Sequence, residues 1–530
     1  MKAFSISGND TVFYTINLNV AEWISQSSGF TTVNRAINYM SAVDSNIVWA
    51  TAMDNTNPTG PCSDFTRTKN GGNTWLPGTI TNTTGLASAM IFAIDSMKAY
   101  VAMYKVSGTK PMGIYYTNDG GTTWNRQTTA LFSNSASFPN CVHFFNATDG
   151  WCMGDPISSE FEIYTTTNGG TTWTAVAGSA IPNPTSGEFG VVGYYSAVHD
   201  TLWFGTNMGR VYKSTDKGHT WSVYTVTPLN GKYIKPTFRT GSHGLMQDKS
   251  SGSTGALCET FDGGATWTAV TATGTIYATD LSYVPGTPNT WVSSGSTGNM
   301  GSSYSFDGGH NWSDFQGTQG AAYSQMTWVN NHCGWAGGAN TSATENGTYK
   351  FIGVLMPTLP PVNDFQANAV GHTVTLLWMV PTIPSGFPYN LVGYNAYMDG
   401  VKVNGTLITA MTFVMNGISS GQHEFCVTAV YSGGESAMEC QVIDVAVGIN
   451  TMDPLSVRIY PNPVRSTLNI NATSQIHEVS LIDFTGKTVL SIHASAKEVH
   501  LTVNGLVSGI YSLKVMTDQG VLVKKVIINP

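Results

Sequence analysis

The eight residues TTNGGTTW at 166–173 recur in close variants along the chain, and this recurrence restricts the fold more than any other feature. Aligned on its last residue, the pattern ends at Trp75, Trp124, Trp173, Trp221, Trp267 and Trp312, at intervals of 49, 49, 48, 46 and 45 residues. A period in the forties belongs to a solenoid or propeller, in which each repeat buries its apolar face against its neighbours. Between octets the sequence reads as short strands broken by Gly, Asn and Asp, with no helical periodicity. About four strands fit each interval, the content of one propeller blade.

The octet also has a local reading. Asn or Asp followed by Gly-Gly supplies the positive φ of a tight hairpin turn, and the Asx side chain accepts bonds from backbone N–H groups across it. Thr and Trp then open the outer strand. The pattern resembles the Asp-box, or bacterial neuraminidase repeat, of sialidase-like propellers. That resemblance implies that Asp119, Asn168, Asp216, Asp262 and Asp307, with the six Trp residues, staple the turn between the third and fourth strands of each blade. Their role is then architectural, and function is expected on the opposite face, at the loops joining strands two and three and those between blades.

A second set of landmarks allows the blades to be counted. Trp49, Tyr100, Trp151, Trp203, Leu245, Trp291 and Trp335 fall at equivalent places on the second strand, giving seven units. The last unit, CGWAGGANTSATENGTYKFIG, ends without an octet and lacks a fourth strand. VAEWISQSS near the N-terminus supplies one, with Trp23 lying 52 residues before Trp75. Residues 1–355 are therefore expected to form a seven-bladed β-propeller whose first segment closes the last blade and removes exposed sheet edges.

After LMPTLPPVNDF the period stops. Residues 358–446 contain VTLLWMVP, LVGYNAYMDGVKV and HEFCVTAVYSGGES, and resemble a fibronectin type III β-sandwich. Cys426 and Cys440 flank its final hairpin. They form a disulfide suited to an oxidising compartment or remain two buried thiols, and the disulfide is the expectation adopted. Cys62, Cys141, Cys152, Cys258 and Cys333 have no metal-ligand spacing, so core packing is their expected role, and neither metal nor cofactor is expected.

Residues 455–530 are expected to form a small β-sandwich and contain VRIYPNPVRSTLNI, the DFTGK turn, Gly509-Ile510-Tyr511 and a terminal Lys524-Lys525 with apolar neighbours. This segment resembles a type IX secretion C-terminal sorting domain of Bacteroidetes. The resemblance implies export, docking to the secretion machinery through 455–530, cleavage in or near the linker at 446–456, and an extracellular or outer-membrane-surface destination. The opening MKAFSISGNDTVFY lacks the apolar core of a signal peptide, so an incomplete or trimmed N-terminus is expected. No apolar run reaches the roughly 20 residues of a membrane helix.

Charged residues make up 11% of the chain and the net charge is −8, which gives nucleic acid or an anionic membrane nothing to bind. Two function classes remain. A sialidase needs an arginine clamp, yet none of Arg35, Arg67, Arg126, Arg210 and Arg239 sits in the Phe-Arg-Ile-Pro motif of that family. The nearest match, PTFRTGSHG at Arg239, falls at the wrong end of its blade. An endo-acting glycoside hydrolase needs paired carboxylates, for which Asp54, Asp155 and Asp248 at the ends of second strands are candidates, each with an alternative as a turn former.

The other class is a binding or adhesion module. Phe138, Phe189, Tyr233, Tyr277 and Tyr323 fall where the innermost strands begin, either ringing the channel mouth to stack on sugar rings or packing between blades. Lys105, Lys235 and Arg210 would add polar contacts. The GWAGG-style units also resemble photosystem assembly-factor propellers, whose cellular setting the export module disfavours. The expectation adopted is an exported all-β monomer that binds polysaccharide or surface glycan rather than cleaving it.

Overall fold

The computed structural model describes residues 2–7, 10–15, 22–296, 298–315, 321–384, 387–445 and 456–529. The expected cleavage segment lies outside the described residues except for Ser456. The chain divides into two compact units, one of Met1–Pro357 with Pro384–Pro388 and one of Thr358–Ile383 with Tyr389–Pro530.

The first unit is built from antiparallel sheets in chain order. Five have four strands each, running from Leu86–Ala93 through Asn125–Arg126, Pro139–Phe144 through Thr174–Ala175, Gly190–Val198 through Ser222–Thr225, Ile234–Phe238 through Thr268–Ala269, and Asp280–Tyr283 through Ser313–Asp314. Strands Lys2–Ser7 and Asp10–Thr15 pair only with each other, and a further sheet of eight strands joins the first and last groups of the unit. Its first half is Arg35–Ala42, Val48–Asp54, Asp64–Thr68 and Leu76–Thr79. Its second half is Gln325–Asn330, Cys333–Ser342, Glu345–Ile352 and, from the N-terminal end of the chain, Glu22–Ser27. A single pair, Ala339 with Ala36, links the halves. The first strand of each group touches the first strand of the next, and Gln325–Asn330 returns the circuit to Arg35–Ala42.

Strand Glu22–Ser27 pairs antiparallel with Glu345–Ile352, setting Trp23 opposite Phe351. The indole packs against Phe351, Trp328, Tyr323 and Phe315 at ring separations of 5.4 to 6.2 Å and donates to Ser302 Oγ at 3.1 Å. A strand far away in sequence thus fills the position an octet strand fills elsewhere.

Aromatic side chains cement adjacent sheets. Trp49 meets Trp124 of the next sheet at 6.3 Å, Trp151 meets Trp221 at 5.7 Å, and Trp203 stacks on Phe238 at 3.7 Å. The second-strand landmarks are all buried, which explains their recurrence: each faces a neighbouring sheet, where a large apolar side chain removes the most surface from water.

In the second unit, Asn363–Val370, Thr373–Met379 and Thr412–Met415 form one sheet. Leu391–Met398, Val401–Lys402, Gly421–Tyr431, Gly434–Glu435 and Glu439–Val445 form another. Ala367 N–H donates to Gln441 Oε1 at 2.7 Å between them, and Trp378 packs edge-on to Tyr394. Cys426 and Cys440 face each other across paired strands and are joined as a disulfide. A third sheet comprises Val457–Tyr460, Thr467–Ile482, Thr488–Thr502, Gly509–Thr517 and Gly520–Ile528 around a core that includes Leu468, Ile470, Leu513 and Val526. No helix among the described residues is long and apolar enough to cross a membrane.

Candidate functional site

Each octet forms the same hydrogen-bonded turn. At Asp119, one carboxylate oxygen accepts from Thr117 Oγ1 at 2.8 Å and Thr123 N at 2.9 Å, the other from Thr123 Oγ1 at 2.6 Å. Asp216, Asp262 and Asp307 repeat the arrangement, while Asn168 and Asn70 reproduce it with an amide. The first residue of the octet, always Thr or Ser, is as important as the acid. Its hydroxyl accepts from the second glycine N–H, as Thr166 does from Gly170 at 3.0 Å. The Asx and hydroxyl groups of the octet are thus committed to the turn itself, which is an architectural role.

On the opposite face, first strands line a cavity of about 290 Å³. Tyr39, Tyr104 and Tyr194 supply aromatic surface there, and Asn38, Ser296 and Gln325 supply amides and a hydroxyl. No carboxylate is among its described lining residues. Its shape depends on an irregular strand: pairing of Gly190–Val198 with Thr201–Thr206 shifts register between Gly190 and Tyr195, and Val192, Gly193 and Tyr194 all reach the cavity wall. Gly193 has φ +67°, and a Cβ there would lie 2.4 Å from the Tyr39 ring, so a side chain would collide with the cavity wall.

Tyr39 and Gln325 also line a second cavity of about 400 Å³ toward the octet rim. The Tyr39 hydroxyl bonds Tyr195, which contacts His143 Nδ1 at 3.2 Å. Burial holds His143 down to about 3 and pushes both tyrosines well up, so all three are neutral at physiological pH. Lys249 donates to the Ala278 carbonyl at 2.5 Å and to that of Thr279. Burial lowers its ammonium to about 7. Lys235 forms a buried ion pair with Asp280, whose second oxygen accepts from Met326 N at 2.8 Å.

The three candidate carboxylates lie at or near the ends of second strands in three non-adjacent groups, and each is engaged locally. Asp54 accepts from Thr56 and pairs with Arg35 at 2.9 Å; the Thr56 hydroxyl, its N–H and then Arg35 hold it at about 2. Asp248 is buried and accepts from Ser250 N in a tight turn. Asp155 accepts from Asn140 Nδ2 at 2.6 Å, and burial pushes it up to about 6. None of the three lines the 290 Å³ cavity.

The five candidate aromatics divide. Phe138 stacks on Tyr104 at 4.5 Å, and Phe189 meets Tyr233, which is 39% exposed. Tyr277 and Tyr323 are each 3% exposed, which corrects their expected place at an open mouth. Tyr277 fills the space over Gly295 and Gly301, whose missing side chains leave room for its ring, and Tyr323 packs on Trp23 and Tyr349. Two expected polar contacts are also corrected, since Lys235 is paired with Asp280 and Arg210 with Glu188; Lys105 is exposed. Tyr39 and Tyr194 escaped the sequence reading because first strands carry no repeated signature, and Lys249 because it follows a second strand at a position the repeat does not mark.

All five remaining cysteines are buried and unbridged. The one cluster of potential metal ligands among the described residues, Glu424 with Cys426 and Cys440, has both sulfurs committed to the disulfide.

The family model for the Secretion system C-terminal sorting domain matches residues 458–529, and that for Photosynthesis system II assembly factor YCF48 matches residues 106–347. Lys-gingipain W83 of Porphyromonas gingivalis is 36% identical over 95 residues, 17% of this chain and 5% of that protein. The chain thus spans about a twentieth of the length of that curated relative. Among solved structures, YCF48 from Cyanidioschyzon merolae is 16% identical, covering 62% of this chain and 98% of its own with a TM-score of 0.45. The GH74 xyloglucanase from Xanthomonas campestris is 10% identical, covering 95% and 88% with a TM-score of 0.41. The chain is an all-β, YCF48-like propeller protein with a type IX secretion sorting domain, and it is secreted to the cell surface or medium.

Proposed function

We propose that this protein is a surface or released glycan-binding module, organised as a seven-bladed Asp-box propeller over 1–355, a fibronectin type III-like domain over 358–446 and the sorting domain over 455–530. The observation that carries the reading is the wall chemistry of the 290 Å³ cavity: tyrosine faces beside neutral amides and hydroxyls, without an acid. Aromatic faces take the apolar C–H face of a sugar while amides and hydroxyls bond its hydroxyl groups, a combination that favours neutral carbohydrate. Glycan-array binding should be lost in the Tyr104→Ala/Tyr194→Ala double variant. Unchanged binding by that variant, or the absence of any bound glycan with the wild type, rejects the reading.

A second reading, an endo-acting glycoside hydrolase, draws on Asp155 alone. A carboxyl raised to about 6 by burial holds a proton near neutral pH, as a general acid requires. Depolymerisation of a glucan or xyloglucan that disappears in Asp155→Asn would replace the binding reading with this one.

A further inference from the structure

The 400 Å³ cavity lies on the octet side of the channel, away from the proposed glycan mouth. Arg239, which lines it, follows strand Ile234–Phe238 and leads into a turn whose Ser242 carbonyl accepts from Gly263 of an octet at 2.7 Å. Its volume falls within the roughly 300–1,000 Å³ range of small-molecule pockets.

Arg239 is unlike the other arginines of this unit. Arg35 is held by Asp54 and Asp64, Arg67 by the Ser96 carbonyl, Arg126 by the Met112 and Leu131 carbonyls, and Arg210 by Glu188. Among the described residues the Arg239 side chain makes no hydrogen bond or ion pair, and its Nε is buried without a partner. A buried donor left unsatisfied is costly, and a charged one more so. The cavity's other cation, Lys235, is neutralised by Asp280, and no carboxylate is among the described lining residues. His243 is held down to about 4 by burial, Arg239 and His310, and adds no charge at neutral pH. Hydroxyls of Ser196, Ser282 and Thr327 complete the polar wall; Ser196 already accepts from Phe238 N, leaving its own hydrogen to donate.

We propose that this cavity is a second binding site, for a small carboxylate of sugar-acid size. A planar carboxylate meets a guanidinium through two parallel bonds, which would answer the uncancelled charge. The surrounding hydroxyls suit the remaining polar groups of such a ligand.

Calorimetric titration of the full chain at low salt, with D-galacturonate, D-galactose and inorganic sulfate as probes, tests the assignment. Galacturonate should bind and galactose should not. Arg239→Gln should weaken galacturonate by about tenfold or more, with Arg239→Lys falling between because it keeps the charge without the fork. Tyr104→Ala/Tyr194→Ala at the opposite mouth should leave galacturonate affinity unchanged, so this site and the glycan mouth stand or fall separately. Because the guanidinium is uncompensated, Arg239→Gln should melt at or above the wild-type temperature. The proposal is overturned by equal galacturonate affinity in Arg239→Gln, by sulfate binding as tightly as galacturonate, by no binding up to about 10 mM, or by a marked loss of melting temperature in both Arg239 variants.

Discussion

The two rims of the propeller are made in opposite ways. At the octet rim each turn is closed by bonds within eight residues of chain, and the same bonds recur at Asn70, Asp119, Asn168, Asp216, Asp262 and Asp307. At the opposite mouth Tyr39, Tyr104, Tyr194 and Gln325 come from four strand groups, and no two of these positions repeat one another. Local, repeated bonding yields octet turns that are robust and closed on themselves. Long-range, unrepeated packing yields a mouth with polar and aromatic groups available to a ligand.

If octets confer the robustness, the strand group without one should be the weak point. That group is completed by Trp23, 9% exposed within a cluster of four aromatic rings. Trp23→Ala should cost about 3–5 kcal/mol in denaturant unfolding, the usual price of emptying a large aromatic site. A loss within about 0.5 kcal/mol, the scale of a surface substitution, would show that closure does not depend on this side chain.

The mouth itself can be divided by stability. Tyr277→Ala should cost about 3 kcal/mol, because the ring fills the volume over Gly295 and Gly301. Tyr233→Ala should fall within about 0.5 kcal/mol. Equal losses at the two positions would mean that Tyr233 is as much a packing residue as Tyr277.

These differences follow what the sequence could display. The octets and second-strand aromatics were legible because each performs one job many times, and periodicity amplifies a weak local signal. Trp23 was legible for a related reason: the last repeat lacked a strand that the others had. Tyr277 and Tyr323 were found at the right chain position, just before a first strand, but exposure depends on neighbours that the period does not encode. In the case of Tyr277 the deciding neighbours are two glycines on adjacent strands. The walls of both cavities are drawn mainly from first strands, where Tyr39, Tyr194 and Lys235 have no counterparts in the other groups. The unpartnered state of Arg239 is a property of its surroundings that sequence cannot show.

A smaller effect should appear within the octet rim. Thr166 is buried, and its hydroxyl is the acceptor of the buried Gly170 N–H. Thr166→Val keeps the shape but leaves that donor without a partner, at a cost of about 1–3 kcal/mol measured by urea unfolding. A neutral result would mean that the first octet hydroxyl is dispensable and that the Asx side chain alone holds the turn.

The finest distinction is between acid and amide octets, which share geometry but differ in titration. Thr123 holds Asp119 at about 2 through its hydroxyl and then its N–H, and the Thr266 hydroxyl is the largest influence holding Asp262 at about 2. An unfolded aspartate titrates near 3.9. A carboxylate depressed on folding gives stability that is fully present above the unfolded value and is lost as pH falls through the folded one, so these two contribute a decline between about pH 4 and pH 2. Asn70 and Asn168 contribute none. Solvent exposure and salt screening keep the effect small. In Asp119→Asn/Asp262→Asn the fall in melting temperature over that window should be shallower than in the wild type, with both proteins nearly equal at pH 7, since asparagine already serves the same turn elsewhere in the chain. An unchanged acid slope would place the acid sensitivity in carboxylates other than these two.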